Sequence, residues 1–333
     1  MYTDVSELMA KLQKDWPYWH LEKSGIGRII VHRMDGPWVV DVVERYPELG
    51  PDAEQHIQIA PFTDFGMGVV SDGMSQIAER IDDSYTGALM MPTALLAGSR
   101  DSWIIGGGCD GPAVREALAW NDTRHVTAVD ISPIMTTKTQ ELIPSFWGGC
   151  QDDKQRLTII NRDIYAVLRE RKERYQKVSN IVFDLTDPPA PDEYTPFEES
   201  TAGHVYSPEG LRLAYDCLQP DGVFVIQAQE LSIINSKGHL WLRRMLEDIY
   251  TSVHSYRVFI EFFGYWESFI ICFKDGRHRS ANFGKALPFD AATYDKIIKQ
   301  YYRGRLAEYY SYESIRGLFS LPKSIRQAFT KAT

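Results

Sequence analysis

The segment from Ser102 to Gly111, SWIIGGGCDG, constrains the fold of this 333-residue chain most strongly. A short apolar run of strand type, Trp103 to Ile105, meets three consecutive glycines and an acid, and a helical pattern follows. Glycines allow the backbone to turn sharply and let a ligand approach the amides at the start of the helix. The segment therefore predicts a strand, a tight turn and a helix that form a ligand site.

A second apolar run, Val126 to Val129, ends in Asp130 at about 20 residues beyond the glycine turn. In a βαβ unit, an acid at this position accepts hydrogen bonds from ribose hydroxyls. An alternative is that the glycines only let the helix pack on the strand. The spacing of Asp130 favours the other interpretation, a nucleoside site.

The glycine spacing alone nominates a dinucleotide, because Gly106, Gly108 and Gly111 satisfy G-x-G-x-x-G. Asp110 argues against that ligand. A carboxylate inside the turn would repel a pyrophosphate, whereas it would attract a cationic sulfonium or ammonium group. S-adenosylmethionine and its decarboxylated form are nucleosides that carry such groups.

Composition excludes several other functions. The chain has 36 basic and 45 acidic residues, a net charge of -9, and no Lys/Arg cluster that could follow a phosphate backbone, so we expect no nucleic-acid partner. No apolar run has bilayer length and the N-terminus lacks a secretory pattern, which predicts a cytoplasmic protein without a membrane partner. The four cysteines are scattered and suggest neither disulfides nor a metal site: Cys109, Cys150, Cys217 and Cys272.

The length suits one large α/β domain and a smaller one. Residues 1–85 are predicted to form a helix and a small antiparallel sheet, because short β-rich runs between turns begin near Gly27. In residues 86–333 strands alternate with helices, which predicts a mainly parallel, doubly wound, Rossmann-like sheet of the methyltransferase type. Its strand candidates contain Trp103, Val126, Leu157, Ile181, Val223 and Ile270.

A further acidic motif follows the strand Asn180 to Phe183 and reads DLTDPPAP. In open α/β sheets ligands lie at the carboxyl ends of the strands, so Asp184 should face the same crevice as Asp110 and Asp130. An alternative is that Asp184 and Asp187 only cap the next helix or turn.

The sequence resembles the polyamine aminopropyltransferases, the spermidine and spermine synthases, from about Gly27 to Phe329. GGCDGPAVRE resembles the family pattern GGGDGG-x-x-RE, with Cys109 and Pro112 in place of glycines. VDISP resembles VEIDP, and DLTDPPAP resembles DSSDPxGP. The resemblance implies that Asp184 is the catalytic base.

The same resemblance implies the remaining site residues and ligands. The donor-binding residues would be Gln55, Gly107, Asp110, Asp130 and Asp163, and the acceptor-binding residues Gln76, Tyr85, Asp187, Gln227 and Glu267. Within these sets, Asp130 would bind the ribose, Asp163 would lie near the adenine amino group and Asp110 would bind the amine of the donor. The family implies decarboxylated S-adenosylmethionine as co-substrate, an amine as acceptor, no tightly bound cofactor and no metal.

The sequence departs from spermidine synthases on the acceptor side. After Tyr85 the family's Glu and His are absent, and the segment that normally presents one acceptor-binding Tyr reads EFFGYWE, residues 261–267. Here the chain is more similar to spermine synthases. Aromatic faces and an acid suit a longer, multiply charged amine such as spermidine, although these aromatics could instead be core residues: Phe262, Phe263, Tyr265 and Trp266.

The predicted reaction is aminopropyl transfer to a polyamine. One alternative is a transferase that uses intact S-adenosylmethionine for methyl or 3-amino-3-carboxypropyl transfer, because the same fold and Asp130 serve both donors. Another is a silent, nucleoside-binding family member, which the retained Asp184 disfavours. The aromatic residues Trp16, Tyr18 and Trp19 exceed what one short helix needs for packing and predict a homodimer contact.

Overall fold

Two small antiparallel sheets form the N-terminal part of the computed structural model, which describes residues 5–23, 28–49, 53–185 and 205–331. Helix α1 (Val5–Asp15) precedes the pair β1 (Trp19–Lys23) and β2 (Ile29–Arg33). A four-stranded meander follows, in the order β3 (Val40–Arg45), β4 (Glu54–Phe62), β5 (Gly66–Ser71) and β6 (Met74–Ala78). The predicted small antiparallel unit is thereby confirmed.

A seven-stranded sheet lies at the centre of the chain. Its members are β7 (Ser102–Gly106), β8 (His125–Asp130), β9 (Leu157–Asn161), β10 (Val178–Phe183), β11 (Leu218–Glu230), β12 (Ser252–Ile260) and β13 (Tyr265–Phe273). The spatial order is β12-β13-β11-β10-β7-β8-β9. Strands β9, β8, β7, β10 and β11 are parallel, and β13 and β12 continue the sheet antiparallel. The predicted mainly parallel sheet is confirmed.

The strand order reverses direction between β7 and β10, because β8 and β9 lie on one side of β7 and the later strands lie on the other. In open α/β sheets such a reversal opens a crevice at the carboxyl ends of the strands. Gly106 of β7 pairs with Phe183 of β10 at this position. The glycine turn and Asp184 therefore leave the sheet side by side.

Helices pack on both faces of the sheet. The described helices after β6 are α2 (Asp82–Leu96), α3 (Pro112–Leu118), α4 (Pro133–Leu142), α5 (Pro144–Trp147), α6 (Ile164–Glu173), α7 (Pro208–Cys217), α8 (Lys237–Glu247), α9 (Ala291–Tyr301), α10 (Leu306–Tyr309), α11 (Tyr312–Leu318) and α12 (Lys323–Lys331). Along β7, Trp103 and Ile105 enter the core shared with α2 and α3, whereas Ile104 enters the core shared with α6 and α7. This alternation is what a strand buried on both faces requires.

The structure adds strands that the sequence analysis did not predict: β1, β6 and β12. Their sequences WHLEK, MSQIA and SVHSYRVFI mix polar with apolar residues, and β12 is an edge strand of the central sheet.

The predicted domain boundary between residues 85 and 86 falls inside α2, and the division into two domains stays a prediction. No helix in the described part of the chain is long and apolar enough to cross a membrane.

Gly107 provides a test of how closely the glycine turn approaches β10. Its φ is +82°, and a Cβ there would come within 1.8 Å of the Asp184 carbonyl oxygen. Gly73 has a similar φ of +77°, but a Cβ there would meet nothing within 4 Å. Because both alanine variants share the dihedral strain, we expect Gly107→Ala to lower the free energy of unfolding by about 1–3 kcal/mol more than Gly73→Ala does. Equal losses in urea denaturation would contradict the close approach.

Candidate functional site

A cavity of about 440 Å³ lies at the carboxyl ends of β7, β8 and β10, beneath the four-stranded sheet. Small-molecule sites have volumes of about 300–1,000 Å³. Every predicted site residue within the described ranges lines this cavity: Gln55, Gln76, Tyr85, Gly107, Asp110, Asp130, Asp163, Asp184, Gln227 and Glu267. Asp187 lies outside the described residues.

Backbone hydrogen bonds hold the glycine turn between two neighbouring strands. The amide of Gly107 donates to the carbonyl of Val129 at 2.9 Å, and the amide of Asp184 donates to the carbonyl of Gly106 at 2.8 Å. The turn is therefore tied to the end of β8 on one side and to the end of β10 on the other. These bonds bring the three acids at the strand ends to one cavity.

Asp110 is a carboxyl group in an environment that disfavours its charge. Burial, followed by the nearby carboxylates of Asp184, Asp130 and Asp82, raises the pKa of Asp110 well above its usual range. Its Oδ1 is buried and has no hydrogen-bond partner among the described residues. A cationic ligand would relieve both deficits, because it would stabilise the carboxylate form and supply a donor.

Asp130 is the last residue of β8 and lies just before Ser132, the N-cap residue of α4. Its Oδ1 accepts a hydrogen bond from the Ser132 amide at 2.9 Å. Burial raises the pKa of Asp130 to about 6, although backbone amides of Ser132 and Cys109 oppose this shift. A carboxylate with bound amides on one side and a cavity on the other can accept hydrogen bonds from neighbouring hydroxyls.

Asp163 lies at the same edge of the sheet, after β9. Its Oδ1 accepts the Ala166 amide at 2.8 Å and so caps α6. The capping bond fixes the carboxyl beside the cavity.

The wall of the cavity near Asp163 includes apolar residues that the sequence analysis did not single out: Ile131, Met135, Ile164, Leu185 and Val205. An apolar wall with an acid at its rim suits the flat ring of a nucleobase.

Tyr85 and Asp184 form the central polar contact of the cavity. The Tyr85 hydroxyl donates to Asp184 Oδ1 at 2.5 Å, across 99 residues of sequence. The Tyr85 ring packs edge-on against Phe263 and Phe269, at centroid distances of 5.8 and 5.5 Å. These ring contacts fix the position of the Tyr85 hydroxyl. The hydrogen bond from that hydroxyl then orients the Asp184 carboxylate.

Gln227 and Glu267 form a second polar pair in the cavity, on the neighbouring strands β11 and β13. The Gln227 side-chain amide donates to Glu267 Oε1 at 3.2 Å, and the Ser268 amide donates to the same oxygen at 3.0 Å. Glu267 is only 1% exposed. A buried carboxylate can form a strong, charge-assisted hydrogen bond with a cationic group.

The aromatic segment before Glu267 divides between the cavity, the core and the surface, which corrects part of the prediction. Phe263 and Tyr265 line the cavity. Phe262 is core, with its ring 5.1 Å from that of Phe62, and Trp266 is 40% exposed, outside the cavity and under the Arg257 guanidinium. The cause for Trp266 is strand alternation, because residues 265 and 267 of β13 share one face while residue 266 points to the other.

Residues of the four-stranded sheet close the cavity from the opposite side. The Gln55 side-chain amide donates to Ser71 Oγ at 2.8 Å, and its carbonyl accepts from the Tyr46 hydroxyl at 3.1 Å. Gln76 is exposed and donates to the Met74 carbonyl at 3.0 Å. Tyr46 lines the cavity without having been predicted, since it belongs to no motif and reaches the site only through the pairing of β3 with β4.

The cavity lining carries many more acidic than basic side chains. Among its described lining residues the only basic side chain is Arg162, which pairs with Glu170 at 2.7 Å. Seven lining residues carry carboxyl groups: Glu54, Asp72, Asp110, Asp130, Asp163, Asp184 and Glu267. Such a lining attracts polycations. Within the described ranges, no group of His, Cys, Asp and Glu side chains has the arrangement of a metal site.

Comparison with known proteins agrees with this geometry. Residues 84–281 match the model of the spermine/spermidine synthase domain. The chain is similar to the polyamine aminopropyltransferase of Aeropyrum pernix, with 25% identity over 83% of this chain and 82% of the relative. It is also similar to polyamine aminopropyltransferase 2 of Hyperthermus butylicus, with 26% identity over 89% and 90%.

Solved structures show the same fold. Spermidine synthase from Thermotoga maritima superposes with a TM-score of 0.74 at 19% identity, covering 94% of each chain. A spermidine synthase in complex with the transition-state analogue AdoDATO gives a TM-score of 0.76 at 20% identity, covering 94% of this chain and 95% of that one.

Asp130 allows a pH test of the expectation that this end of the cavity binds a nucleoside. We expect a neutral adenine nucleoside, methylthioadenosine, to bind the carboxylate form of Asp130 through its ribose hydroxyls. Because the pKa of Asp130 is raised to about 6, the affinity should be constant above pH 7 and weaken about tenfold per pH unit once the carboxylate is protonated. Calorimetry between pH 5 and 8 measures this. The Asp130→Asn variant should bind weakly at every pH, and a pH slope retained in that variant would contradict the assignment.

Proposed function

Because this chain belongs to the spermine/spermidine synthase family, we propose that it transfers the aminopropyl group of decarboxylated S-adenosylmethionine to a polyamine acceptor, spermidine or a similar amine, and releases methylthioadenosine. The observation that carries this proposal is a cavity rich in carboxyl groups, which combines the strand-end acids Asp110 and Asp130 with the hydrogen-bonded pair Tyr85 and Asp184. A cationic nucleoside and a cationic amine can meet there.

In this proposal the donor occupies the cavity between Asp130 and Asp110. Asp130 accepts the ribose hydroxyls, and Asp163 lies at the adenine amino group. Gln55 closes over the nucleoside from the four-stranded sheet, and Gly107 allows its close approach to the turn. Asp110 binds the donor's ammonium, which agrees with its buried Oδ1 and with the carboxylates around it.

A second candidate donor, intact S-adenosylmethionine, is favoured by one observation. The raised pKa of Asp110 would let its protonated form donate a hydrogen bond to the carboxylate of that donor. The anionic lining favours the decarboxylated donor, because a carboxylate entering beside Asp110 would also face Asp184 and Asp130. A donor without a carboxylate meets no such repulsion.

The chemistry requires a neutral amine nitrogen. Alkyl amines are protonated near pH 7, so a carboxylate must take one proton before or during attack. We assign this role to Asp184. The nitrogen then forms a bond to the methylene next to the sulfonium, the carbon–sulfur bond breaks, and its electron pair stays on sulfur as the thioether of methylthioadenosine. Holding the nitrogen, the methylene and the sulfur in line supplies much of the acceleration.

Asp184→Asn tests the base. The amide oxygen of Asn can still accept the Tyr85 hydrogen bond, but the side chain cannot take the proton. We expect kcat to fall by about 10²- to 10⁴-fold, while methylthioadenosine binds with nearly unchanged Kd because Asp184 is assigned to the acceptor. Steady-state kinetics and calorimetry measure the two quantities. A variant with near wild-type kcat would remove Asp184 from the mechanism.

The acceptor end supports a long amine. Asp184 lies at the glycine turn, whereas Glu267 lies on β13 with Phe263 and Tyr265 on the same cavity wall. A triamine can place one nitrogen at Asp184 and a distant ammonium at Glu267, with its methylenes along the aromatic wall. Asp187 is a further proposed amine ligand, and Gln76 and Gln227 are proposed to border the acceptor.

Acceptor choice gives a quantitative test. We expect kcat/KM for spermidine to exceed that for putrescine by at least about tenfold, which corresponds to about 1.4 kcal/mol of transition-state binding. Glu267→Gln serves as the matched variant, because it keeps a hydrogen-bonding side chain of similar size and removes the charge. It should lower kcat/KM for spermidine more than for putrescine in assays with decarboxylated S-adenosylmethionine. A wild-type preference for putrescine would reject the long-acceptor assignment.

We also propose that residues 1–85 form a domain that closes the cavity and contributes to a homodimer. Trp16 and Tyr18 are 45% and 52% exposed, which leaves apolar surface beside α1 for a second copy. Light scattering measures this association, and a monomer at micromolar concentration would reject it. A cytoplasmic location stays a prediction.

A further inference from the structure

The Arg115-Glu116 pair of the sequence motif does not line the cavity, and its contacts point elsewhere. Arg115 donates to Asp82 Oδ2 at 2.8 Å and to the carbonyls of Ser145 and Phe146 at 3.0 Å each. Its Nε donates to Glu116 at 2.8 Å. The helix after the glycine turn is thereby tied to the first residue of α2.

Asp82 receives two guanidinium groups in a fully buried position. Arg305, from the segment before α10, donates to Asp82 Oδ2 at 2.5 Å and to Asp83 Oδ1 at 2.6 Å. Thr86 donates to Asp82 Oδ1 at 2.7 Å. Asp82 is 0% exposed, so removing its charge would leave Arg115 and Arg305 facing an uncharged buried group.

This network surrounds the helical turn that carries Tyr85. Tyr85 lies one turn after Asp82 on α2, and its hydroxyl donates to Asp184. Between them, the carbonyl of Ser84 accepts the Tyr310 hydroxyl at 3.0 Å. Gly87 lies against the same tyrosine, since a Cβ at this position would come within 2.1 Å of the Tyr310 ring. The C-terminal segment and the helix after the glycine turn therefore hold this turn from two sides.

We propose that Asp82 is a positioning residue, which together with Arg115 and Arg305 fixes the first turn of α2 and so holds the Tyr85 hydroxyl against Asp184. Asp82 touches neither substrate in this arrangement. Its positional effect on the reaction passes through Tyr85, whose hydroxyl donates to Asp184. The charge of Asp82 also helps to raise the pKa of Asp110, and Arg305→Gln keeps that charge while it loosens the same turn. The role of Asp184 as base rests on the proposed function, whereas the positioning of Tyr85 does not.

A double-mutant cycle tests the route through Tyr85. Asp82→Asn alone should lower kcat by about tenfold or more, because small displacements of positioned groups cost this much. In the Tyr85→Phe background it should lower kcat by less than about twofold, since the contact through which it acts is already absent. Methylthioadenosine binding should be unchanged. Equal losses in both backgrounds would overturn the proposal.

Two variants keep the test interpretable. Arg305→Gln removes one partner of Asp82 at a side chain that is 40% exposed, so it serves if Asp82→Asn does not fold. Arg305→Gln should likewise lower kcat in the wild-type background and have little effect on kcat in the Tyr85→Phe background. Asp122→Asn is the matched control, because it also removes a carboxylate from an arginine ion pair. Asp122 pairs with Arg100 at 2.6 Å, and neither residue lines the cavity. It should leave kcat unchanged in both backgrounds.

A spectroscopic measurement separates this proposal from the proposed function. In protein with 3-fluorotyrosine at position 85, the fluorine resonance should shift or broaden in Asp82→Asn and Arg305→Gln and stay unchanged in Asp122→Asn. This signal needs no substrate. A wild-type protein that turns over no amine with decarboxylated S-adenosylmethionine would therefore reject the proposed function without changing the fluorine result. An unchanged resonance in both network variants would overturn the positioning role.

Discussion

The close approach of Gly107 to the end of β10 is the constraint on which the site depends. The backbone at residue 107 has a positive φ and leaves no room for a Cβ beside the Asp184 carbonyl. This close contact lies where β7 and β10 end side by side at the reversal of strand order. Asp110, Asp130 and Asp184 then share one cavity, where burial and the charges of Asp184 and Asp130 raise the pKa of Asp110. The energetic cost of this arrangement is lower when a cation is bound.

The two ends of the cavity use different supports. The proposed nucleoside end is built from strand ends and the helix N-termini that follow them, with Asp130 and Asp163 each accepting a hydrogen bond from a backbone amide. The other end is built from the antiparallel strands β11 and β13, where Gln227 supports Glu267. On the proposed function, variation in β13 would therefore change the amine that binds without disturbing the nucleoside end.

Much of the fold and the site could be predicted, because the signals were local. The run from Ser102 to Gly111 and the strand that ends at Asp130 each specify a strand and its ligand-facing end within a few residues. Strand alternation also explains the correction at Trp266, which shares β13 with Tyr265 and Glu267 but faces away from them.

What could not be predicted depends on contacts between distant segments. The bond between Arg305 and Asp82 spans 223 residues, and no local pattern marks either partner. Tyr46 reaches the cavity only because β3 pairs with β4. The strands β1, β6 and β12 have mixed polarity, so their conformation is decided by pairing and burial rather than by propensity.

Product analysis tests the central claim most directly. The protein is incubated with an amine mixture and either decarboxylated or intact S-adenosylmethionine, and the products are identified by mass spectrometry. The account predicts methylthioadenosine and an amine lengthened by one aminopropyl group, formed from the decarboxylated donor alone. S-adenosylhomocysteine with a methylated product, or a 3-amino-3-carboxypropyl product formed from the intact donor, would contradict it.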